Sequence, residues 1–459
     1  MKQHIQELHA QQVDFFLENN PFSLKQRIQL LKKLKKEINA QEDAIIEALK
    51  EDFSKPAFES MVTEVVVVYK ELDLFIKNLE FWSKPEKVSS SLLNFPSSDK
   101  IYHRPYGNVL IIAPWNYPFQ LAINPLIAAI ATGNTVTLKP SELTPHTASL
   151  LKKVINKVFT EEHAVVIQGD EEVAQQLLNL KWNFIFFTGS VAVGKIVNQA
   201  AAKNLTPVVL ELGGKNPCIV ESTAKIQLTA KRIVWGKFLN AGQTCIAPDY
   251  VLVHKSVKPA LIKALKEEII ASYGKNTIDS PDYARIINSS HFERLESLID
   301  EEKVAFGGQT DAESNFIAPT LIEEPALNDK VMGGEIFGPI LPIISYDEER
   351  ELKKIISSYA ASLAFFVFTE NKDFAENIMA QFPFGGGVIN DVVIHFANEK
   401  LPFGGVGNSG IGAYHGKHSF NCFTHQQSVV NHKTWIDIPF RYAPYGNKLS
   451  WIKRFKNWL

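Results

Sequence analysis

The sequence predicts an α/β protein built from a doubly wound parallel sheet and a second α/β domain. Three observations carry that prediction. Short apolar runs at 109–113, 135–138, 165–167 and 184–187 are separated by stretches of helical character. Strands without a polar face must be covered on both sides, which is the condition of a parallel sheet between helix layers. The same alternation resumes at 218–220, 250–253, 341–344, 363–368 and 388–390. Finally, 459 residues exceed what one ordinary core accommodates, so two or three domains are expected.

Taken in order, residues 1–80 read as helices. Ser23 with Gln26 forms a capping box. Leu31, Leu34, Ile38, Ile45, Ile46 and Leu49 recur at helical spacing with Lys and Glu between them. Residues 83–105 mix Pro, Ser and short apolar groups; they are too polar for a core and fit a protruding hairpin or linker. Polar residues and glycines follow the apolar runs: Trp115-Asn116 after the first, Lys139 to Glu142 after the second, Thr188-Gly189 after the fourth. Doubly wound sheets bind ligands at the carboxyl ends of their strands, so this clustering places a cofactor there.

Two further glycine turns carry reactive groups. Glu211-Leu212-Gly213-Gly214-Lys215 presents a carboxylate, and Asn240-Ala241-Gly242-Gln243-Thr244-Cys245 a thiol. A thiolate is a strong nucleophile, and a carboxylate in a dry pocket can activate water. By residue type alone Cys245 also fits a small buried hydrophobe. The stretch from Gly189 through Ser190 to Gly194 and Lys195 follows a strand and opens a helix, a position that favours phosphate. Ile196 stands where a nucleotide triphosphatase loop needs Ser or Thr, and the Gly-x-Gly-x-x-Gly spacing is absent. His395 and His415 are single histidines without a ligand-spaced partner, and Cys218 and Cys422 lie among apolar neighbours.

The two turns, together with Pro114-Trp115-Asn116-Tyr117-Pro118, Leu138-Lys139-Pro140-Ser141-Glu142, Phe187-Thr188-Gly189-Ser190, Glu335-Ile336-Phe337-Gly338-Pro339 and Leu401-Pro402-Phe403-Gly404-Gly405, resemble the aldehyde dehydrogenase superfamily in identity and order over nearly the whole chain. Trp115 to Pro118, Thr206-Pro207-Val208 and Tyr414-His415-Gly416-Lys417 resemble its class 3 branch most. The resemblance implies an aldehyde-dehydrogenase-like fold: a cofactor domain over 1–82 and 104–211, a catalytic domain over 212–411, and a small oligomerisation hairpin at 83–103 with a second segment at 412–435. A tail follows over 436–459. It implies NAD(P)-dependent oxidation of aldehydes to acids through a thiohemiacetal and thioester on Cys245, with Glu211 as base and Asn116 in the oxyanion hole. No metal is required. An acyl-transferring or reductase relative of the same fold, or a non-catalytic paralogue, is the alternative. Cofactor contacts fall on Trp115, Lys139, Glu142, Gly189, Ser190, Gly194, Glu335 and Phe337. The Glu142 carboxylate favours NAD, with NADP as second cofactor. Val191 replaces a threonine common in the family, and Gly334 an acid. Tyr117, Trp235 and Phe403 are candidates for an apolar funnel suited to medium or long aliphatic and aromatic aldehydes.

Composition narrows the partners. The formal net charge is −2, which supplies no field to recruit nucleic acid. Three cysteines without a Cys-x-x-Cys pair suggest neither a disulfide framework nor a cysteine zinc site. The start lacks a signal peptide's apolar run, and the most apolar region, 109–131, is broken by Pro114, Pro118 and Pro125. A cytoplasmic protein is expected, and the family resemblance implies a homodimer. Trp451, Phe455, Trp458 and Leu459 fall at helical spacing among Lys448, Lys453, Arg454 and Lys456. That pattern fits a peripheral membrane contact or a terminal helix packed on its own subunit or its dimer partner.

Overall fold

Helices fill the N-terminal region as the periodicity predicts. The computed structural model describes residues 2–456 apart from 21, 92 and 93. Lys2–Asn19, Leu24–Ala40 and Glu42–Phe53 are followed by Ala57–Ser60, a π turn at Met61–Val65, and Val66–Trp82. The Ser23–Gln26 capping box forms. Leu31, Leu34, Ile38, Ile45 and Leu49 are buried, so the predicted stripe is a core face. Gln12 on the first helix donates to the Val136 carbonyl at 2.9 Å and meets Thr137 Oγ1 at 2.7 Å. These bonds tie the helix to the sheet beside it.

That sheet has six strands in the order Gly410–Ile411, Val208–Glu211, Phe184–Thr188, Asn108–Ile112, Thr135–Lys139, Ala164–Val166. All pairs are parallel except the short edge strand Gly410–Ile411. The chain enters at Asn108–Ile112, winds outward through two strands, then returns to the other side with Phe184–Thr188. The strand order therefore reverses between those two central strands, and a crevice opens beyond their carboxyl ends. Each predicted run of the first half lies on one of these strands or directly after it.

The second sheet orders Val304–Phe306, Thr320–Glu323, Ile340–Tyr346, Tyr250–His254, Pro217–Val220, Ser362–Phe368 and Phe384–Ile389. It is parallel apart from the first pair. The last strand starts four residues before the predicted 388–390 run, because Gly385, Gly386 and Gly387 give a sequence pattern no apolar side chains. Their role is close backbone approach: a Cβ on Gly385 would lie 2.3 Å from the Gly404 carbonyl oxygen.

The 83–105 segment forms the expected hairpin, Glu86–Val88 against Ser97–Pro105. Ser97–Pro105 also pairs antiparallel with Thr424–His432 over nine residues. The two segments allotted to oligomerisation thus share one three-stranded sheet, with Thr424–His432 at its edge. The terminal helix Lys448–Phe455 begins in the predicted tail, and Trp451 on it is 57% exposed. Trp458 and Leu459 of the proposed stripe lie outside the described residues. Among the described residues no helix is long and apolar enough to cross a membrane.

Candidate active site

A cavity of about 920 Å³ opens where the crevice of the first sheet meets the second half of the chain. Its wall takes Trp115, Asn116 and Tyr117 from the turn after Asn108–Ile112, and Gly189 and Ser190 from the turn after Phe184–Thr188. Glu211 comes from the end of its strand, Cys245 from the glycine turn, and Glu335 and Phe337 from the loop before Ile340–Tyr346. Trp235 and Phe403 line it as well. Residues as far apart in sequence as Trp115 and Phe403 therefore meet at one surface, where turns after the strands of the first sheet face loops of the second half of the chain.

Glu211 is buried, and among the described residues neither carboxylate oxygen has a hydrogen-bond partner. A buried, unpaired carboxylate is costly to ionise, and burial raises its pKa well above the ordinary carboxylate range. Cys245 is half-buried beside it. Burial first, then the charges of Glu335 and Glu211, push its thiol up to about 12, while backbone N–H groups of Cys245 and Ile246 pull it down. Asn116 is buried, and its Nδ2 donates to the Gln243 carbonyl at 3.1 Å. Its amide is thus fixed next to the turn that carries the thiol. Tyr117 turns its hydroxyl to Thr244 Oγ1 at 2.7 Å, leaving its ring as the part available to line the cavity.

Three of the expected cofactor contacts stand apart from this cavity's wall. Lys139 Nζ meets Glu142 Oε2 at 2.6 Å, the lysine buried and the carboxylate 44% exposed. The pair sits at the end of the strand Thr135–Lys139, one strand from the switch point. Gly194 lies inside the helix Val191–Ala202, where a Cβ would come within 2.6 Å of the Leu212 side chain. Its absent side chain serves close packing of helix on strand. With residues 191–202 helical, the stretch from Gly189 to Lys195 is a helix start, which removes the triphosphatase loop geometry.

The wall fits a dinucleotide. Ser190 caps the Val191–Ala202 helix, its Oγ accepting from the Val193 N–H at 3.3 Å, so the Gly189-Ser190 turn faces the cavity at a helix N-terminus. Thr188 Oγ1 is buried beside that turn with no partner among the described residues. Glu335 lies against bare backbone: a Cβ on Gly213 would be 1.9 Å from its Oε2, so only glycine admits the carboxylate. Burial raises Glu335 to about 8, with Asp249 adding to the rise and the Gly214 N–H opposing it. The Trp115 and Phe337 rings meet edge to face at 5.3 Å and give the same region an apolar wall.

Sequence reasoning missed several wall residues. His291 packs edge-on against Trp115 at 5.0 Å, and Arg294 lines the cavity while donating to the Ile336 carbonyl at 2.9 Å. Both sit on the Ser289–Glu296 helix, which shows no glycine turn or strand end in sequence. Tyr414 and His415 also line the cavity; burial lowers the His415 pKa to about 3, so the ring is neutral. Lys215, which closes the Glu211 turn, is a buried anchor. Its Nζ meets Asp249 Oδ2 at 2.6 Å, the Val331 carbonyl at 3.1 Å and the Gly334 carbonyl at 2.8 Å. Asp249 Oδ1 in turn accepts the Ile336 N–H at 2.9 Å. That pair holds the loop on which Glu335 and Phe337 stand.

Known proteins resemble this chain over most of its length. The aldehyde dehydrogenase family model matches residues 5–429. The 4,4'-diaponeurosporen-aldehyde dehydrogenase of Staphylococcus aureus is 46% identical over 94% of this chain and 94% of its own. Aldehyde dehydrogenase family 3 member H1 of Arabidopsis thaliana is 44% identical, covering 93% of this chain and 90% of its own. Among solved structures, the substrate-bound state of Staphylococcus aureus AldH superposes with a TM-score of 0.96 at 44% identity, over 98% of this chain and 99% of that one. The Mycobacterium tuberculosis aldehyde dehydrogenase complexed with NAD+ gives 0.86 at 26% identity, over 95% and 92%. The chain belongs to the aldehyde dehydrogenase family and resembles its class 3 members over most of its length.

Proposed function

We propose that Cys245, Glu211 and Asn116 oxidise aldehydes to carboxylic acids in this cavity, with NAD as cofactor and NADP as its alternative. The Cys245 sulfur attacks the aldehyde carbon, its proton leaves for solvent, and a thiohemiacetal forms. The oxyanion is met by Asn116 Nδ2 and the Cys245 backbone N–H. A nicotinamide held there would supply the hydride acceptor, and loss of hydride from the thiohemiacetal would leave a thioester on Cys245. Glu211, once its own proton has passed to solvent, takes a proton from water; the resulting hydroxide attacks the thioester, the acid departs, and the proton held by Glu211 returns to the Cys245 sulfur to restore the thiol. The observation that carries this reading is Glu211 itself: a buried carboxylate with both oxygens unpartnered, lining one cavity with a cysteine and a fixed amide donor.

Glu335 and Phe337 would hold the nicotinamide ribose and ring, Trp115 would wall that site, and Gly189 with Ser190 would meet the pyrophosphate. Lys139 and Glu142 would meet the adenosine ribose at the neighbouring strand end, where the carboxylate repels a 2′-phosphate. The division into a cofactor domain (1–82 and 104–211), a catalytic domain (212–411) and a dimerising sheet belongs to the same reading. Leu121, Val66 and Phe396 join Tyr117, Trp235 and Phe403 on the wall, so medium and long aldehydes gain about 0.8 kcal/mol per buried methylene over short ones.

The exposed edge of Thr424–His432 supports a homodimer joined through this sheet; a cytoplasmic location belongs to the same reading. The tail packs on its own subunit or that partner in this reading. Salt-sensitive cosedimentation of the full chain with anionic vesicles, lost on deleting 447–459, would instead assign the tail to a membrane surface.

Cys245→Ser tests the nucleophile. A serine hydroxyl is barely ionised at neutral pH, so turnover should fall by more than about a thousandfold while NAD binding persists. Near-normal turnover would remove Cys245 from the mechanism.

A further inference from the structure

Asn116 and Cys245 stand on two separate turns, and the Cys245 turn is strained. Asn240 and Ala241 have φ of 55° and 52°, a region that residues with a Cβ enter only where their surroundings impose it. The imposing group comes from the N-terminal helices. Glu59 Oε2 accepts the Asn240 N–H at 3.0 Å. The Asn240 side chain then donates to the Asn116 carbonyl at 2.8 Å and the Gln243 carbonyl at 3.2 Å, joining both turns.

A second carboxylate works five residues on. Glu64 Oε2 accepts the Phe119 and Gln120 N–H groups at 2.9 and 3.1 Å, at the start of the helix behind Asn116. Its Oε1 pairs with buried Lys55 at 2.6 Å, and that ammonium stands 4.0 Å from the centre of the Tyr117 ring. Glu59 lies on the helix Ala57–Ser60, which runs directly into the π turn at Met61–Val65, and Glu64 lies within that turn. Its wider pitch brings residues five apart toward one face, where an α-helix would separate them. Both acids therefore point inward from one element, while Val62 and Thr63 between them line the cavity.

We propose that Glu59 is a positioning residue for the nucleophile: as an acceptor for the Asn240 N–H it holds the 240–245 turn in the conformation that aims Cys245 past the Asn116 amide. Lys55 and Glu64 brace the Asn116 side of the same clamp. The inference rests on Cys245 being the nucleophile. It makes the acceptor at the end of the Glu59 side chain the functional feature, separable from its charge against Lys55.

Single-turnover NADH formation, with enzyme in excess over aldehyde, reads it. Glu59→Gln keeps the reach and drops the charge; Glu59→Asp keeps the charge and shortens the reach. Glu59→Met fills the same volume without an acceptor and replaces the Asp variant should that one not fold. Glu59→Gln is expected to stay within about threefold of the unaltered rate, and Glu59→Asp or Met to lose about tenfold, with the KM for NAD unchanged and melting temperature measured in parallel. The opposite order, Asp active and Gln impaired, would assign Glu59 to charge balance and overturn the inference, as would equal rates in all variants. Cys245→Ser run in the same assay separates the two failures. If it keeps the full rate the nucleophile is wrong; if it is dead while the Glu59 variants are all normal, only the positioning inference falls.

Discussion

Glu211 and Lys215 lie four residues apart in one glycine-rich turn, both buried, and their surroundings are opposite. Lys215 is satisfied at every side: a carboxylate at 2.6 Å and two backbone carbonyls within 3.1 Å. Glu211 faces the cavity with both oxygens unpartnered. A buried charge that is fully paired belongs to the frame, because leaving either partner alone is expensive. A buried acid left unpaired is tolerated only where a reactant completes it, and its raised pKa is the physical mark of that incompleteness. In the proposed mechanism the contrast gives the motif two jobs: Glu211 would act on water, while Lys215 with Asp249 holds the loop that presents Glu335.

The largest effect expected from this contrast is on stability. Lys215→Met should leave Asp249 buried and uncompensated at a cost of about 3–5 kcal/mol, seen as a lower denaturation midpoint. Adding Asp249→Asn should recover part of it. A midpoint equal to the unaltered protein's would show that the pair is not structural.

The thiol gives a pH test of intermediate size. Burial raises Cys245 toward about 12, so at neutral pH the free enzyme holds almost entirely thiol. The thiolate fraction then grows about tenfold per pH unit, as for any group titrating below its pKa. Iodoacetamide alkylation of Cys245 should therefore climb continuously from pH 7 to 10. A plateau below pH 9 would mean that the thiol is far more acidic than its surroundings imply.

A smaller effect is expected at the cofactor's far end. Glu142 is half exposed and paired with Lys139, so water screens its repulsion of a 2′-phosphate. Glu142→Ser should raise the NADP-to-NAD ratio of kcat/KM by about tenfold or less. An unchanged ratio would place Glu142 away from the ribose.

Much of the architecture was legible because a strand covered on both faces leaves an unbroken apolar run. The strands at 108–112, 184–188 and 250–254 are of that kind. Phe384–Ile389 was partly hidden because its glycines contribute backbone approach and no side-chain pattern. Gly410–Ile411 is too short to carry any pattern at all. In the site, the residues on glycine turns after strands were legible, since turn chemistry and position coincide there. His291 and Arg294 were not, being ordinary polar positions on a short helix that tertiary folding turns toward Trp115 and Glu335. The π turn and the Glu59–Asn240 bond were beyond reach for the same reason: both depend on which distant backbone meets the helix, a fact that local periodicity does not contain.

The claim that Glu211 is an incomplete buried acid completed by water is tested most directly with Glu211→Gln, by following NADH formation from mixing through steady state. A glutamine keeps the shape of the wall and removes the base. The account predicts one rapid turnover of NADH per active site, followed by a steady rate lowered by about 10² to 10⁴, with intact mass showing acyl-enzyme on Cys245. Burst and steady rate falling together, with no acyl-enzyme found, would contradict it.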